Sequence, residues 1–434
     1  MNTDSITLAA RAKGSLSLLK RVCRIISRYG LTPAKLNRSL HRYVQTLKQF
    51  DCGASFAVPA VVLERNRHII TKYLGQNIEF VVHGYTHLNY SQLTPEGQLD
   101  HLRRARQVFA SAGIEAVGFR APYLHCKPHL HQVVEAAGFS YTSSESVLWN
   151  LGDTDAFYPL ACASYRRAIE FYDPWLASER PSLPWLRNRV VEIPVSLPDD
   201  EMLLERLGDR TGDLVESTWR HILYETYRRG ELFTIQLHPE RIAWCVGGLS
   251  AVLSEARALT PLVWVARLGE VASWWAARAA TTFSVRQAGD GAWYLSVDGP
   301  PGVTILVRGV DALVPTRPWA DGYRQVIGTS CVVRGSRRPF VGVSSACPPE
   351  LISILRQQGY IVQVSDDSQA YSVYLDRTDF APKDEGSLLA QLEGNVGPLV
   401  RLGRWPNGAR SALCVTGDID ALTIWDYGVR LFGK

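Results

Sequence analysis

Ile78-Glu79-Phe80-Val81-Val82-His83-Gly84-Tyr85-Thr86-His87-Leu88-Asn89-Tyr90 is the stretch whose reading decides the fold. Five mostly apolar, β-prone residues run straight into two histidines spaced i, i+4, with a glycine between them. A short apolar run of this kind reads as a buried strand of a parallel sheet. His83 and His87 then sit where the C-terminal end of that strand opens into a loop, the end at which α/β barrels carry their chemistry. Neutral imidazoles held close together suit a divalent transition metal, zinc above all. Two unrelated loop histidines would give the same local pattern.

Working outward, further short apolar runs alternate with amphipathic segments. The runs are Ala54–Val58, Ala116–Phe119, Phe139–Thr142, Val190–Val195, Leu232–Leu237 and Val263–Val265. Between them, Pro95–Ala112 has helical spacing, with Thr94 as its cap and Glu96 in the first turn. Residues 14–50 carry two apolar stripes, Leu18, Leu19, Val22, Ile25 and Ile26, then Leu36, Leu40, Val44 and Leu47. Pro33 reads as a first-turn proline capped by Thr32, and Lys20, Arg21, Arg24 and Arg28 as a solvated face. Strand and helix in alternation predict a parallel sheet with crossover helices, open or closed into a barrel.

Near Thr281 the texture changes. FSVRQAGDGAWYLSVDGPPGVTILVRG alternates with period two, and its Gly-Asp-Gly and Gly-Pro-Pro-Gly turns predict antiparallel hairpins. Pro348–Gly359 reads as helix, Tyr360–Val364 and Tyr371–Leu375 as strands. The predicted division is residues 1–279 as the main part of an α/β domain, 280–404 as a β-rich accessory domain, and 405–434 returning to the first. The return rests on Ser411–Thr416, a β-type run that ends in Gly417-Asp418-Ile419-Asp420.

At 434 residues two domains are the expectation, and 46% hydrophobic with 21% charged residues is an ordinary globular composition. A net charge of +5 over this length argues against nucleic acid as the main partner. Eight scattered cysteines without a CxxC pair read as reduced thiols. Neither a signal peptide nor an apolar run of the roughly 18 residues needed to span a bilayer is evident, so a cytoplasmic enzyme is expected.

Four of the apolar runs end in residues able to do chemistry: His83 and His87; Arg120-Ala121-Pro122-Tyr123; His238-Pro239; and Asp418 with Asp420. In one parallel barrel all four sets reach the same face. Two histidines and a carboxylate form a metal site with open positions. A second carboxylate can take the proton of an attacking water, and a further histidine can protonate the leaving group. Metal and a backbone N–H can hold the oxyanion. That inventory suits metal-assisted acyl hydrolysis.

HGYTHLNYSQLT, GFRAPYL, TIQLHPE and VTGDID, with ASFAVPA near residue 54, resemble the metal-dependent polysaccharide deacetylases, the NodB-homology domain of carbohydrate esterase family 4. The resemblance covers roughly residues 30–270 and 405–434. It implies a distorted (β/α)7 barrel that removes N- or O-acetyl groups from sugars. Carried over by position, His83, His87 and Asp420 would hold the metal, Zn2+ by expectation. Asp418 would be the base, Arg120 would orient it, the backbone N–H of Tyr123 would form the oxyanion hole, and His238 would be the acid. The substrate would be an acetylated sugar or glycan.

Three departures stand out. Ile419 separates the two aspartates that the family keeps adjacent, which leaves the division between base and ligand open. The partner of His238 is also open among Asp153, Asp155, Asp199 and Asp200. The acidic motif should precede ASFAVPA, yet it lies near the C-terminus. A circular permutation, with the β-rich domain inserted before the last barrel strand, explains that order. A strand completing a neighbouring subunit, or opening a second domain, is the alternative. An amidohydrolase acting on a small non-sugar amide would use the same site, and a silent carbohydrate-binding barrel would keep its shape. His125, His129 and His131 read as surface residues. Trp244, Trp264, Trp274 and Trp275 read as core or barrel-rim packing, although Trp244 lies close enough to LHPE to touch substrate.

Overall fold

The computed structural model describes residues 27–125, 129–151, 159–289 and 291–432. The first apolar stripe (Leu18 to Ile26), Lys20, Arg21, Arg24, Asp153 and Asp155 lie outside the described residues. The protein is an α/β fold organised on a curled, mostly parallel sheet. Its strands in chain order are β1 (Ala54–Val58), β2 (Ile78–Val82), β3 (Gly118–Phe119), β4 (Tyr141–Thr142), β5 (Trp185–Arg187), β6 (Val190–Glu192), β7 (Leu232–Gln236), β8 (Val263–Ala266) and β9 (Ser411–Asp418). They lie in the order β7-β9-β1-β2-β3-β4-β6-β5, with β8 also on β9. Only the β5–β6 pair is antiparallel. The path does not close by hydrogen bonding among the described residues, so the expected barrel is seen as a curled sheet.

β9 sits at the centre although it comes last in the chain. Its register runs Leu232↔Ala412 to Gln236↔Thr416 on β7, and Ser55↔Thr416 to Ala57↔Asp418 on β1. All eight of its residues are buried, as its unbroken apolar beginning predicts. Helix α1 (Ala34–Gln49) buries Leu36, Leu40, Tyr43, Val44 and Leu47 against the sheet, and the Tyr43 hydroxyl donates to Thr416 O at 3.1 Å. Pro33 stands at the position before α1, but Thr32 does not cap it. Thr94 does cap helix α2 (Pro95–Ser111), accepting from Gly97 N–H. The expected run Val190–Val195 is two strands in different sheets, because Val195–Leu197 pairs with Ser146–Leu148.

Helices α3 (Asp213–Arg229), α4 (Ile242–Ala258) and α5 (Leu268–Ala279) follow, and beyond α5 the first expected hairpin forms, Thr282–Gln287 against Ala292–Asp298. The second does not. Ala292–Asp298 pairs with Ser330–Arg334, whereas Ile305–Arg308 joins Arg324–Val326 and Leu399–Leu402 in another sheet. A third sheet is parallel and packs with helices α6 (Pro349–Gln357) and α7 (Glu385–Gly394) over a separate apolar cluster. The Gly-Pro-Pro-Gly turn therefore switches sheets, an outcome that local alternation does not specify.

Close packing at the sheet centre makes one glycine testable. A Cβ at Gly118 would stand 2.0 Å from the Tyr141 ring, which is fully buried and anchored through its hydroxyl to Glu79 at 2.7 Å. Gly118→Ala is expected to lower stability by about 1–3 kcal/mol, read as a shift of the urea midpoint at unchanged slope.

Candidate metal and catalytic site

Because β2, β3, β7 and β9 run parallel in one sheet, His83 and the residues that follow these strands emerge at the same end of it. Three buried side chains meet there: His83, His87 and Asp420 offer ligand atoms all within 4.8 Å of one another. Asp420 Oδ1 is 3.6 Å from His83 Nε2 and 3.3 Å from His87 Nε2. Two ligand atoms about 2.1 Å from one ion at a tetrahedral angle stand about 3.4 Å apart, so the spacing fits a shared ion. The Nδ1 of His83 faces the Arg120 carbonyl at 2.8 Å and must donate to it, which leaves the Nε2 lone pair for a cation.

The second aspartate is engaged differently. Asp418 Oδ1 accepts from Arg120 Nη1 at 2.8 Å, and Oδ2 accepts from Gln236 Nε2 at 2.9 Å. Its Oδ2 approaches His83 Nε2 only to 3.9 Å. Arg120 is fully buried and held by Thr416 Oγ1, Ser143 O and Ser143 Oγ. Asp418 is thus oriented from both sides, whereas Asp420 faces the imidazole pair. Tyr123 adopts φ 65°, ψ 9°, and Leu124 follows at φ 54°, a left-handed turn rare outside glycine. Its ring stands edge-on to His87, with centroids 4.7 Å apart.

His238 lies two residues beyond Gln236. Its Nδ1 is 2.7 Å from Asp200 Oδ1, and its backbone N–H donates to Asp200 Oδ2 at 2.9 Å. Burial alone would pull the imidazole down. The Asp200 carboxylate outweighs burial and Arg241 together and holds it up at about 10. Asp200 is held low against its own burial by His238 and Arg241. Burial, then Asp200, pushes Asp199 up to about 7. Asp199, Asp200 and His238 are close enough to hold an ion, but the Arg241 guanidinium already stands 3.3 Å from Asp200. The positive charge there comes from protein.

Some expectations fail here. Arg28 is not on a solvated face: its side chain is 18% exposed and pairs with Glu240 at 2.6 Å, behind the His238 loop. His131 is buried against Glu192 at 3.1 Å, because β6 brings that carboxylate under its helix. His125 is partly covered, with Nε2 2.5 Å from Phe171 O. Trp264, Trp274 and Trp275 do pack, Trp264 against Trp274 and Trp405 and Trp275 against Trp405, whereas Trp244 is 47% exposed and does not. Gln236 and Thr416 lie inside the TIQLHPE and VTGDID motifs but carry no expected role, and Ser143 lies in no motif. The signal for the first two was position, two residues before His238 and Asp418 on the same strand face.

Residues 32–142 match the polysaccharide deacetylase family model. A peptidoglycan deacetylase-like protein, FGM2 of Gibberella zeae, is 26% identical over 183 residues, 37% of this chain and 52% of that protein. The chain therefore spans about half the length of that curated relative. Among solved structures, a probable polysaccharide deacetylase from Pseudomonas aeruginosa PAO1 aligns at TM-score 0.43 and 18% identity, covering 55% of this chain and 72% of the other. The allantoinase Puue aligns at TM-score 0.43 and 17% identity with the same coverage. Among the described residues no helix is long and apolar enough to cross a membrane.

Proposed function

We propose that this chain, whose residues 32–142 match the polysaccharide deacetylase family model, is a hydrolase of non-peptide carbon–nitrogen bonds that removes acetyl groups from an N-acetylated sugar or glycan with the help of a metal. The observation that carries the reading is the convergence of His83, His87 and Asp420 beside the Arg120–Asp418 pair. These three side chains would hold a divalent ion, most simply zinc. Bound there, it supplies Lewis-acid chemistry, making water more acidic and polarising the acyl oxygen.

The chain's own residues do the rest. Asp418, its two oxygens fixed by Arg120 and Gln236, accepts the proton of the attacking water. The Tyr123 N–H, set by the left-handed turn, donates to the developing oxyanion. His238, protonated against Asp200, gives its proton to the departing nitrogen, which an amide needs more than an ester does.

We read the architecture as a circularly permuted deacetylase barrel, built from residues 1–279 and 405–434, with 280–404 inserted as an accessory domain. Supporting this, the Ile424 N–H donates to Gly30 O at 3.0 Å, and the Tyr29 and Tyr427 rings lie 5.6 Å apart. The segment after the last strand thus packs on the first described residues, as such a rearrangement requires. The described cysteines are free thiols, in keeping with a reducing cytoplasm.

Acetate release from N-acetylhexosamine oligomers, with and without a chelator, tests the reading. Release should stop with chelator and return on adding zinc. Hydrolysis of small amides with no glycan turnover would make the protein an amidohydrolase. Glycan binding without acetate release would make it a silent binding barrel.

A further inference from the structure

A second cavity, of about 500 Å³, lies away from the metal and catalytic residues. Its walls come from the C-terminal end of helix α3 (Asp213–Arg229), from α7, and from the strands carrying Arg308 and Arg401. Six arginines line it, Arg228, Arg229, Arg308, Arg401, Arg404 and Arg410, against three acids, Glu231, Glu393 and Asp321. Within the lining the acids are fewer, although Glu225 just outside it pairs with Arg228 and Arg229 at 3.0 Å. Burial pushes Glu231 up to about 7, and Asp321 is 2.9 Å from Arg410.

Some of these guanidiniums have structural duties. Arg404 and Arg410 donate to the last carbonyls of α3, and Arg308 donates to those of α7. Arg401 pairs with Glu393 at 3.5 Å and lies over the Tyr323 and Tyr360 rings, 5.0 and 5.7 Å from their centroids. It is 6% exposed, yet its Nε and Nη1 make no hydrogen bond. The Nε of Arg308 and the Nη2 of nearby Arg278 are buried and unbonded as well. Burial, reinforced by Arg404 and Arg401, pushes Arg278 down to about 9, the mark of cations crowded without enough counter-charge. Buried donors left unmade are rare in folded proteins and call for a partner.

We infer that this cleft is a binding site for a phosphate or diphosphate group, carried by a small organic molecule. Guanidiniums form charge-assisted, often bidentate bonds with such oxyanions. The volume exceeds what one inorganic phosphate needs and falls within the range of small-molecule pockets. Because α3 belongs to the curled-sheet part and α7 to the β-rich part, the ligand joins the two. Nothing in this inference depends on the metal site.

Thermal unfolding of the full chain with inorganic phosphate, pyrophosphate or uridine diphosphate tests it. Uridine diphosphate is expected to raise the Tm in a saturable way, beyond chloride at equal ionic strength. Arg401→Met should weaken this binding at least about tenfold, as should Arg228→Glu, which alters a half-exposed side chain and leaves the core intact. Arg220→Glu, outside the cleft, should leave it unchanged. Saturation by pyrophosphate with no preference for uridine diphosphate would assign an inorganic ligand and overturn the organic one. No saturable shift with any probe, or an equal shift in Arg228→Glu, would overturn the site itself.

Discussion

Asp418→Asn is expected to lower kcat by roughly 10²–10⁴-fold while zinc content stays at the wild-type level. On the proposed mechanism the change removes the proton acceptor and little else. An asparagine can still accept from Arg120 through Oδ1, where the carboxylate now accepts at 2.8 Å. Its new amide group would face Gln236 Nε2, which donates to Asp418 at 2.9 Å in the wild type. Gln236 can meet that by turning its carboxamide over, since its Oε1 is buried without a partner. The fold should therefore tolerate the substitution, and the three ligand atoms of His83, His87 and Asp420 are untouched. Asp420→Asn should behave oppositely, losing metal along with turnover. If Asp418→Asn lost the metal, or kept activity to within a few-fold, the division of roles between the two aspartates would be wrong.

That division shows how far the amino acids alone could carry the argument. The strands Ala54–Val58 and Ile78–Val82 were legible to the residue, because each is buried along its length and bounded by clear breaks. The grouping of His83 and His87 with Asp420 was legible only through motifs, since 333 residues separate His87 from Asp420 in the chain. Local propensity carries no information about such a pairing, which is written in the register between β1 and β9. The choice of Asp200 over its neighbours was not legible at all. Asp199 and Asp200 are adjacent and chemically identical, and only the backbone path after Leu197 turns Asp200 towards His238 while Asp199 accepts from Met202 N–H. Arg28 and His131 were misread for a related reason. A charged or polar residue reads as solvated until a distant carboxylate, Glu240 or Glu192, is brought beneath it.

Asp200→Asn gives the second large expected effect, and its sign follows from the same pair. In the wild type the imidazole is held at about 10, so His238 stays protonated and able to act as an acid across the neutral range. Turnover should fall only as pH rises past that value. Without the Asp200 carboxylate, burial and Arg241 act downward against Glu240 alone, and the imidazole should fall well below that value. The alkaline limb of kcat should then move down in pH, with a loss of roughly 10²–10⁴-fold at about pH 8 that is partly recovered towards pH 5.5. Recovery at low pH is the readout that a merely structural role would not give. His238→Asn, lacking any titrating imidazole, should show no such recovery. Stability should change in a matching way. The raised imidazole contributes stability that is fully present below its unfolded value and is lost as pH rises through about 10. The variant should lack that contribution, and it also leaves Arg241 buried with Glu205 as its nearest remaining partner at 2.7 Å. Breaking a buried pair in this way costs about 3–5 kcal/mol, so folding must be checked by circular dichroism before the pH profile is read. An Asp200→Asn enzyme that folds and keeps the wild-type alkaline limb would remove His238 from the role of acid.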